Sequence, residues 1–356
     1  MNMQTRQSSH IAVRHGAGKK ILFPLLVMLC GVVPPAELVA AETVSETVVS
    51  RFGGYRAAIS IDAQAERYPE LNRWRAIVRD AVGNELYRLD RPIPYDTPYP
   101  ALALSDQDGA AVLLNAFDGI VEFIDARGAT VRRWRPFASE TPSHERILKC
   151  SIAGSRVAFL ASDPLEKRAV VYAMTIDGLP HATAELAEQQ AGELYLSDDG
   201  TVIVAGGSTP LGQITVSTAL MDWDGRLMAT VPFDVRLADI RIGTAQVALA
   251  DTRAVLLVDL DTGGYETLWS EDRPGAIVTG LRLLEPGVAV CSQSFAYPDG
   301  IPSYTNTRVV LLSPDGVTLF DRSVEGESSA PVALDAGAGE IRVSVGQTTT
   351  SLPVPR

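Results

Sequence analysis

A hairpin pattern that recurs along the chain is the feature that most constrains its fold. Six times, an apolar run leads into a turn that contains glycine, and a second strand-like run follows. The turn glycines are Gly83, Gly128, Gly178, Gly225, Gly263 and Gly316. Their spacings of 45, 50, 47, 38 and 53 residues average 46.6, which is close to the length of one four-stranded propeller blade.

Each interval between these hairpins contains two further short strands, separated by turns rich in Asp and Gly such as residues 105–109 and 197–200. A unit of four antiparallel strands cannot bury both of its faces alone, so the units are expected to pack radially. The sequence therefore predicts an all-β fold, a single β-propeller of four-stranded antiparallel blades. The 315 residues after position 41 favour seven blades, with six or eight as alternatives. A strand from residues 47–62 is expected to complete the last unit, residues 330–354, and close the ring.

The first 41 residues have the pattern of a secretory signal peptide, and residues 42–356 form the predicted propeller domain. A basic leader precedes an apolar run over residues 21–33 and the small residues that end at Ala41. Cleavage after Ala41 would deliver the chain to the periplasm or outside a bacterial cell. An uncleaved anchor is the weaker interpretation because Pro24 interrupts the run. Lipid attachment at Cys30 is disfavoured because Leu29 precedes it.

Charge and cysteine positions exclude some partners and predict the state of the thiols. After cleavage, the chain contains 27 Lys and Arg and 42 Asp and Glu, and the resulting net charge of −15 disfavours nucleic acid as a partner. No membrane span is expected after cleavage. Cys150 falls on the first strand of the third unit and Cys291 on the second strand of the sixth, nearly opposite in a seven-bladed ring. Both are therefore predicted to be free thiols.

Few groups in the sequence suggest catalysis. Only His144 and His181 follow the leader, and no established nucleophile, metal or phosphate-binding motif is present. Residues 259–264 begin like a calcium loop, but glycine occupies the third ligand position. The carboxylate pairs Asp106 with Asp108, Asp198 with Asp199, and Asp222 with Asp224 are assigned to turns. No catalytic residue, metal site or cofactor is predicted.

Three segments resemble known propeller repeats. Residues 258–269 (VDLDTGGYETLW) resemble one repeat of the PQQ-like propellers, which include quinoprotein dehydrogenases and the lipoprotein scaffold of outer-membrane protein assembly. Residues 124–128 leading to Trp134 are a weaker match. Residues 197–202 (SDDGTV) are similar to WD40-type or TolB-type repeats. These resemblances imply the propeller fold and carry over no functional residue.

Long loops on one face are the strongest lead to a binding site. In a propeller, second-to-third strand loops and connections between blades share one face, here called the long-loop face. Long segments over residues 63–73, 92–100, 136–146, 162–168 and 295–307 are all predicted to lie there. The candidate binding residues in them are Tyr68, Tyr95, Tyr99, His144, Arg146, Tyr297 and Tyr304. The alternative is that their Tyr-Pro pairs only fix the loops against the blades.

Three functions remain open at this stage. The leading hypothesis is a non-catalytic envelope propeller that binds a protein or an extended ligand through the long-loop face. The alternative is an enzyme of the propeller lactonase or hydrolase kind, with a divalent metal held by carboxylates near the axis. A third possibility is an assembly module of a larger envelope complex. The sequence does not determine the partner or the oligomeric state.

Overall fold

A computed structural model describes residues 44–50, 53–62, 73–93, 97–186, 190–209, 215–240, 245–298, 301–337, 339–346 and 348–354. The predicted signal peptide lies outside these residues. The described residues form 27 strands and no α-helix. No helix in them is long and apolar enough to cross a membrane.

The strands form seven antiparallel sheets, each built from one continuous stretch of chain. In blades one to three they are β1 (Val44–Val49), β2 (Tyr55–Asp62), β3 (Arg73–Asp80), β4 (Glu85–Pro92), β5 (Ala101–Leu104), β6 (Ala111–Asn115), β7 (Ile120–Ile124), β8 (Thr130–Trp134), β9 (Ile147–Ala153), β10 (Arg156–Asp163), β11 (Arg168–Thr175) and β12 (Pro180–Glu185). In blades four and five they are β13 (Gln190–Leu196), β14 (Val202–Thr209), β15 (Thr215–Asp222), β16 (Leu227–Val231), β17 (Leu237–Ile240), β18 (Gln246–Ala250), β19 (Ala254–Asp259) and β20 (Tyr265–Ser270). In blades six and seven they are β21 (Ala276–Leu284), β22 (Gly287–Ala296), β23 (Ser303–Leu312), β24 (Thr318–Val324), β25 (Ala333–Gly337), β26 (Glu340–Val345) and β27 (Thr348–Pro353).

The seven first strands surround an axial channel of about 570 Å³. Its lining includes Val48 of β1, Leu104 of β5, Ser151 of β9, Leu196 of β13, Leu237 of β17, Leu281 of β21 and Leu334 of β25. Because every sheet contributes its first strand to one channel, the sheets form a closed ring. The predicted all-β propeller with seven blades is confirmed.

Six hydrophobic clusters join successive blades. The cluster between blades one and two contains Trp74 and Leu113, and the cluster between blades six and seven contains Val309 and Val343. Burying a Leu or Val side chain in such a cluster contributes about 1.5–3 kcal/mol. Middle strands are buried on both faces, and seven of the eight residues of β10 are inaccessible to solvent. These contacts stabilise the ring by stacking one sheet on the next.

The recurring turn glycines have two physical causes, and Gly178 shows both. Its φ of +84° lies in the left-handed region, where a Cβ is unfavourable. A Cβ on Gly178 would also lie 2.7 Å from the ring of Phe123 in the preceding blade. The repeat glycines therefore shape the hairpin turns, and at Gly178 the glycine also lets neighbouring blades approach closely.

The predicted closure by an N-terminal strand is wrong. Residues 47–62 belong to β1 and β2, which pair with each other and with β3 in blade one. In the described part of the chain, blade seven contains only β25, β26 and β27. The reason is that the six hairpins used to set the repeat join third to fourth strands, so β1 and β2, which precede the first of these hairpins, complete blade one.

The cysteine prediction agrees with the structure. Cys150 lies on the first strand of blade three and Cys291 on the second strand of blade six. Both are free thiols. Burial raises the pKa of Cys291 to about 12.

Candidate functional site

Four of the five predicted long segments lie mostly within the described residues, and they differ in form. Residues 93–100 and 135–146 connect successive blades, as predicted. Residues 162–168 form a tight hairpin, because a turn of only four residues joins β10 to β11. Residues 295–307 are mostly strand, because β22 and β23 continue pairing out to Ala296 and Ser303. The connection at residues 63–72 lies outside the described residues.

Of the five predicted tyrosines, Tyr68 and Tyr95 also lie outside the described residues, and the other three can be placed. Tyr99 is 55% exposed on the connection between blades one and two. Tyr297 and Tyr304 belong to blade six, so blade seven and blade one separate them from Tyr99 around the ring. The structure therefore divides the predicted tyrosine surface into two parts.

The more distinctive part is the extended end of the β22–β23 hairpin, residues 294–306, which we call the blade-six arm. Phe295 and Tyr304 are cross-strand partners whose ring centroids lie 5.0 Å apart. Tyr297 stands nearly perpendicular to Phe295, with centroids 4.9 Å apart. At the tip, Tyr297 and Ile301 are each 61% exposed. The arm therefore holds aromatic side chains in a fixed geometry and presents apolar surface to solvent.

A buried carboxylate fixes the base of the arm. The Glu271 side chain is inaccessible to solvent and accepts hydrogen bonds from Arg273 at 2.9–3.1 Å. Arg273 also donates to the carbonyl oxygen of Asn306 at 2.8 Å and to Ser292 Oγ at 2.7 Å. Burial opposes ionisation of Glu271, but the hydrogen bonds from Arg273 and Ser292 outweigh it and lower its pKa to about 2. Glu271 is therefore ionised at neutral pH, and it positions Arg273, which bonds both strands at the base of the arm.

A second set of contacts ties the arm to blade seven. Gln293 is fully buried and donates to Thr307 Oγ1 at 3.0 Å, while its carbonyl oxygen accepts from Val332 N at 2.9 Å. Tyr304 forms a pair of backbone hydrogen bonds with Ser328 at 2.8 and 3.1 Å. The sequence reasoning missed Gln293 and Glu271. The run Ser-Phe-Ala-Tyr, a Pro-rich turn and Ser-Tyr-Thr-Asn-Thr is a hairpin signal that could have revealed the arm.

His144 and Arg146 lie on the connection between blades two and three, with different exposure. His144 is exposed, and its ring lies 4.6 Å from that of Phe117. Arg146 is buried and bonds Asp163 Oδ2 through Nε at 2.9 Å. Its guanidinium also lies 4.6 Å over the Phe137 ring. Arg146 therefore holds this connection in place and is not on the accessible surface.

A cavity of about 270 Å³ lies between the blade one to two connection and blade two. Thr97, Pro98 and Pro100 form one wall, and Asn115 and Asp118 contribute polar groups. At its side, Arg91 donates to Glu122 Oε2 at 2.6 Å. The cavity is smaller than most ligand pockets, which occupy roughly 300–1,000 Å³. It adds a small hollow with a mixed apolar and polar lining beside Tyr99.

The axial channel offers few groups for catalysis. The lining residues in the described part of the chain include Ser151, Tyr195, Thr279 and Arg282 and no carboxylate. No group of three or more metal-ligating side chains occurs among the described residues. The structure therefore provides no observation that favours a metal at the axis.

Several turn carboxylates accept hydrogen bonds within their own hairpins, while Asp106 and Asp224 contact Ser50 and His181 of the preceding blades. Asp222 accepts from Arg226 N at 2.8 Å, and Asp199 accepts from Thr201 N at 3.0 Å. Asp259, the first position of the calcium-like segment, accepts from the amides of Asp261 and Thr262 at 2.9 Å. Hydrogen bonds from Thr262 lower the pKa of Asp259. These carboxylates stabilise turns, as the sequence predicted.

Comparison with known proteins identifies the class of fold. No protein-family model and no curated protein matches the chain. The Dos1 propeller is similar with a TM-score of 0.55 at 14% identity, covering 87% of this chain and 78% of Dos1. The C-terminal WD40 domain of Sif2 is similar with a TM-score of 0.51 at 10% sequence identity, covering 89% of this chain and 83% of that domain. Saccharomyces cerevisiae Sqt1 is similar with a TM-score of 0.53 at 11% identity, covering 87% of this chain and 83% of the Sqt1 chain. The chain therefore has the β-propeller fold that these structures share.

Proposed function

We propose that this chain is an exported, non-catalytic binding module of a bacterial envelope. It captures a protein or another extended ligand through its long-loop face, and the blade-six arm is the anchor. Export is supported by the signal-peptide pattern of residues 1–41. The observation that carries the binding proposal is the exposed apolar tip, Tyr297 and Ile301, on a hairpin fixed by buried polar contacts.

Physical reasons connect this arrangement to recognition. Tyr has few rotatable bonds, so holding it at an interface costs little conformational entropy while it buries a large area. The arm is already ordered by Glu271, Arg273 and Gln293, so binding does not need to order it again. The apolar tip calls for apolar side chains in the ligand. The WD40 domain of Sif2 has a similar fold, but its sequence identity to this chain is too low to infer a shared partner.

The test compares two variants that remove exposed apolar groups from opposite faces. Tyr297→Ala with Ile301→Ser truncates the arm tip, and Val82→Ser with Val317→Ser changes exposed residues in the tight hairpins of the other face. Each protein is immobilised, incubated with envelope extract from the native host, crosslinked and analysed by mass spectrometry.

We expect one or more envelope proteins to be retained by the wild type and by the Val82/Val317 variant. The Tyr297/Ile301 variant should lose about tenfold or more of this retention, because aromatic anchors dominate interface energetics. Both variants should unfold within a few degrees of the wild type, because the altered side chains are exposed. Equal retention by all three proteins would rule out the arm as the anchor.

A further inference from the structure

Among the described residues, blade seven has one strand fewer than the others. The other six sheets each have four strands, whereas the sheet of blade seven consists of β25, β26 and β27. β27 pairs with β26 from Thr348 to Pro353, and no described strand pairs with its outer edge. An edge of this kind presents backbone N–H and C=O groups that can pair with another strand. The binding proposed above uses a different face of the molecule, and this edge shares with the proposed function only the cleavage of residues 1–41.

A groove lies at the position of the missing strand. It has a volume of about 310 Å³ and runs between β24 of blade six and the end of β27. Leu319 and Phe320 line it on one side, and Leu352 and Val354 line it on the other. Leu319 is 39% exposed although it faces this apolar groove. The groove therefore offers buried positions for the alternate side chains of one extended strand.

One positive charge marks the groove. Arg322 lines it, is exposed, and donates a 3.4 Å hydrogen bond to the carbonyl oxygen of Asp321. By contrast, Arg308 in the neighbouring strand is held by ion pairs with Asp321 and Asp272 at 2.7 and 3.0 Å. The Arg322 guanidinium would pair favourably with a carboxylate on an incoming strand.

The chain preceding β1 is poorly suited to fill this position. In the complete ring, 4 to 12 residues separate each fourth strand from the first strand of the next blade. Because β1 begins at Val44, a fourth strand of blade seven would have to end between residues 31 and 39. Strands that end at residues 34–39 would contain Pro34 or Pro35, which cannot donate a backbone hydrogen bond. Strands that end earlier would consist of the apolar run of the predicted signal peptide, which cleavage removes.

We propose that an extended segment of a second polypeptide binds this groove as the fourth strand of blade seven, antiparallel to β27. Fourth strands in the other blades have five to eight residues, which sets the length of the segment. Its alternate residues are apolar and face Leu319 and Leu352, and one acidic residue faces Arg322. A second copy of this chain is a poorer occupant, because symmetric pairing of two β27 edges would bring the same positively charged patch against itself.

Photo-crosslinking in the native host tests this proposal. p-Benzoylphenylalanine replaces Leu319 in the full-length chain, and crosslinked peptides are sequenced. The matched control places the same group at Leu227, an equally apolar, 57% exposed residue on the fourth strand of complete blade four. We expect position 319, and not position 227, to crosslink to one short segment of another protein with alternating apolar residues and an acidic residue.

A synthetic peptide with that sequence then serves as the probe. It should bind the purified protein, slow amide hydrogen exchange in β27, and bind about tenfold more weakly to Arg322→Glu, because the charge pair is reversed. Replacing the acidic residue of the peptide by Lys should restore binding to Arg322→Glu. Crosslinking to a second copy, crosslinking to residues 1–43 of the same chain, equal crosslinking at both positions, or binding without protection of β27 would each overturn the proposal. The Tyr297/Ile301 variant should bind the peptide normally, which separates this result from the proposed function.

Discussion

Replacing a turn glycine by alanine should reveal how much blade stacking depends on the missing side chain. Gly178 and Gly83 occupy equivalent turns, with φ of +84° and +98°. At both, alanine meets the left-handed backbone, which costs about 1–2 kcal/mol. A Cβ at Gly83 would meet no atom within 4 Å, so we expect no further loss there. Gly83→Ala therefore measures the backbone cost alone.

Gly178→Ala carries an additional cost from packing. Its Cβ would lie 2.7 Å from Phe123 Cδ2 and 2.8 Å from Arg132 Cδ, well inside the roughly 3.5–4.0 Å of a normal contact. Phe123 cannot move freely, because it is fully buried and lies 5.6 Å from the Phe159 ring. Overpacking of this kind costs about 1–3 kcal/mol. We expect Gly178→Ala to lower the free energy of unfolding by about 2–5 kcal/mol.

Urea unfolding of the two variants measures the difference. Both curves are followed by tryptophan fluorescence and far-UV circular dichroism, and the midpoints are compared at similar slopes. Amide exchange in β7 and β11 should accelerate in Gly178→Ala and remain unchanged in Gly83→Ala. Equal midpoint shifts in the two variants would refute the argument that the glycine at 178 is needed for contact between blades.

Three further outcomes are expected. The pKa of Glu271 is about 2, below the ordinary 4.5, so its ionised form stabilises the fold fully above pH 4.5 and this contribution is lost as pH falls towards 2. Glu271→Gln should therefore lower the free energy of unfolding, measured in urea, by about 2 kcal/mol at pH 7 and by progressively less below pH 4.5. A loss that is the same at every pH would contradict this. Asp163→Asn leaves the buried guanidinium of Arg146 without its counter-ion and should lower the free energy of unfolding by about 3–5 kcal/mol, measured by thermal unfolding. The control Asp90→Asn removes a carboxylate from an exposed pair with Arg73 and should lower the free energy of unfolding by less than about 1 kcal/mol. Denatured, unreduced protein lacking residues 1–41 should titrate two thiols, Cys150 and Cys291, and finding none would show that they had paired.

The propeller could be predicted from sequence because its evidence is local and repeated. Each of the six hairpins has an Asp, Ser or Thr that caps the turn and a glycine with positive φ, as at Asp125 and Gly128. The number of blades followed from the spacing alone. The prediction of ring closure failed, because strand order at the edges depends on which sheet the first two strands join.

The candidate site was only partly predictable, because it depends on contacts between distant residues. Arg146 looked like an exposed recognition residue, and only the fold shows Asp163 buried beside it. Residues 295–307 were predicted to be a loop, and only the fold shows Phe295 paired with Tyr304 across two strands. Tyr304 was identified from its place in a predicted long segment, but the contacts of Glu271 and Arg273 join residues from two blades, and no local pattern encodes them.

Among the described residues, each blade of this ring is made from consecutive strands of the chain, and no sheet contains a strand from the other end of the described sequence. A nascent chain can therefore finish pairing each sheet as soon as the corresponding stretch of roughly 47 residues has been synthesised, without waiting for the last codon. Because each sheet is built from consecutive strands, strand pairing does not depend on which blade comes first in the sequence. Linking residue 354 to residue 44 and opening the chain between any two other blades would leave all seven sheets whole.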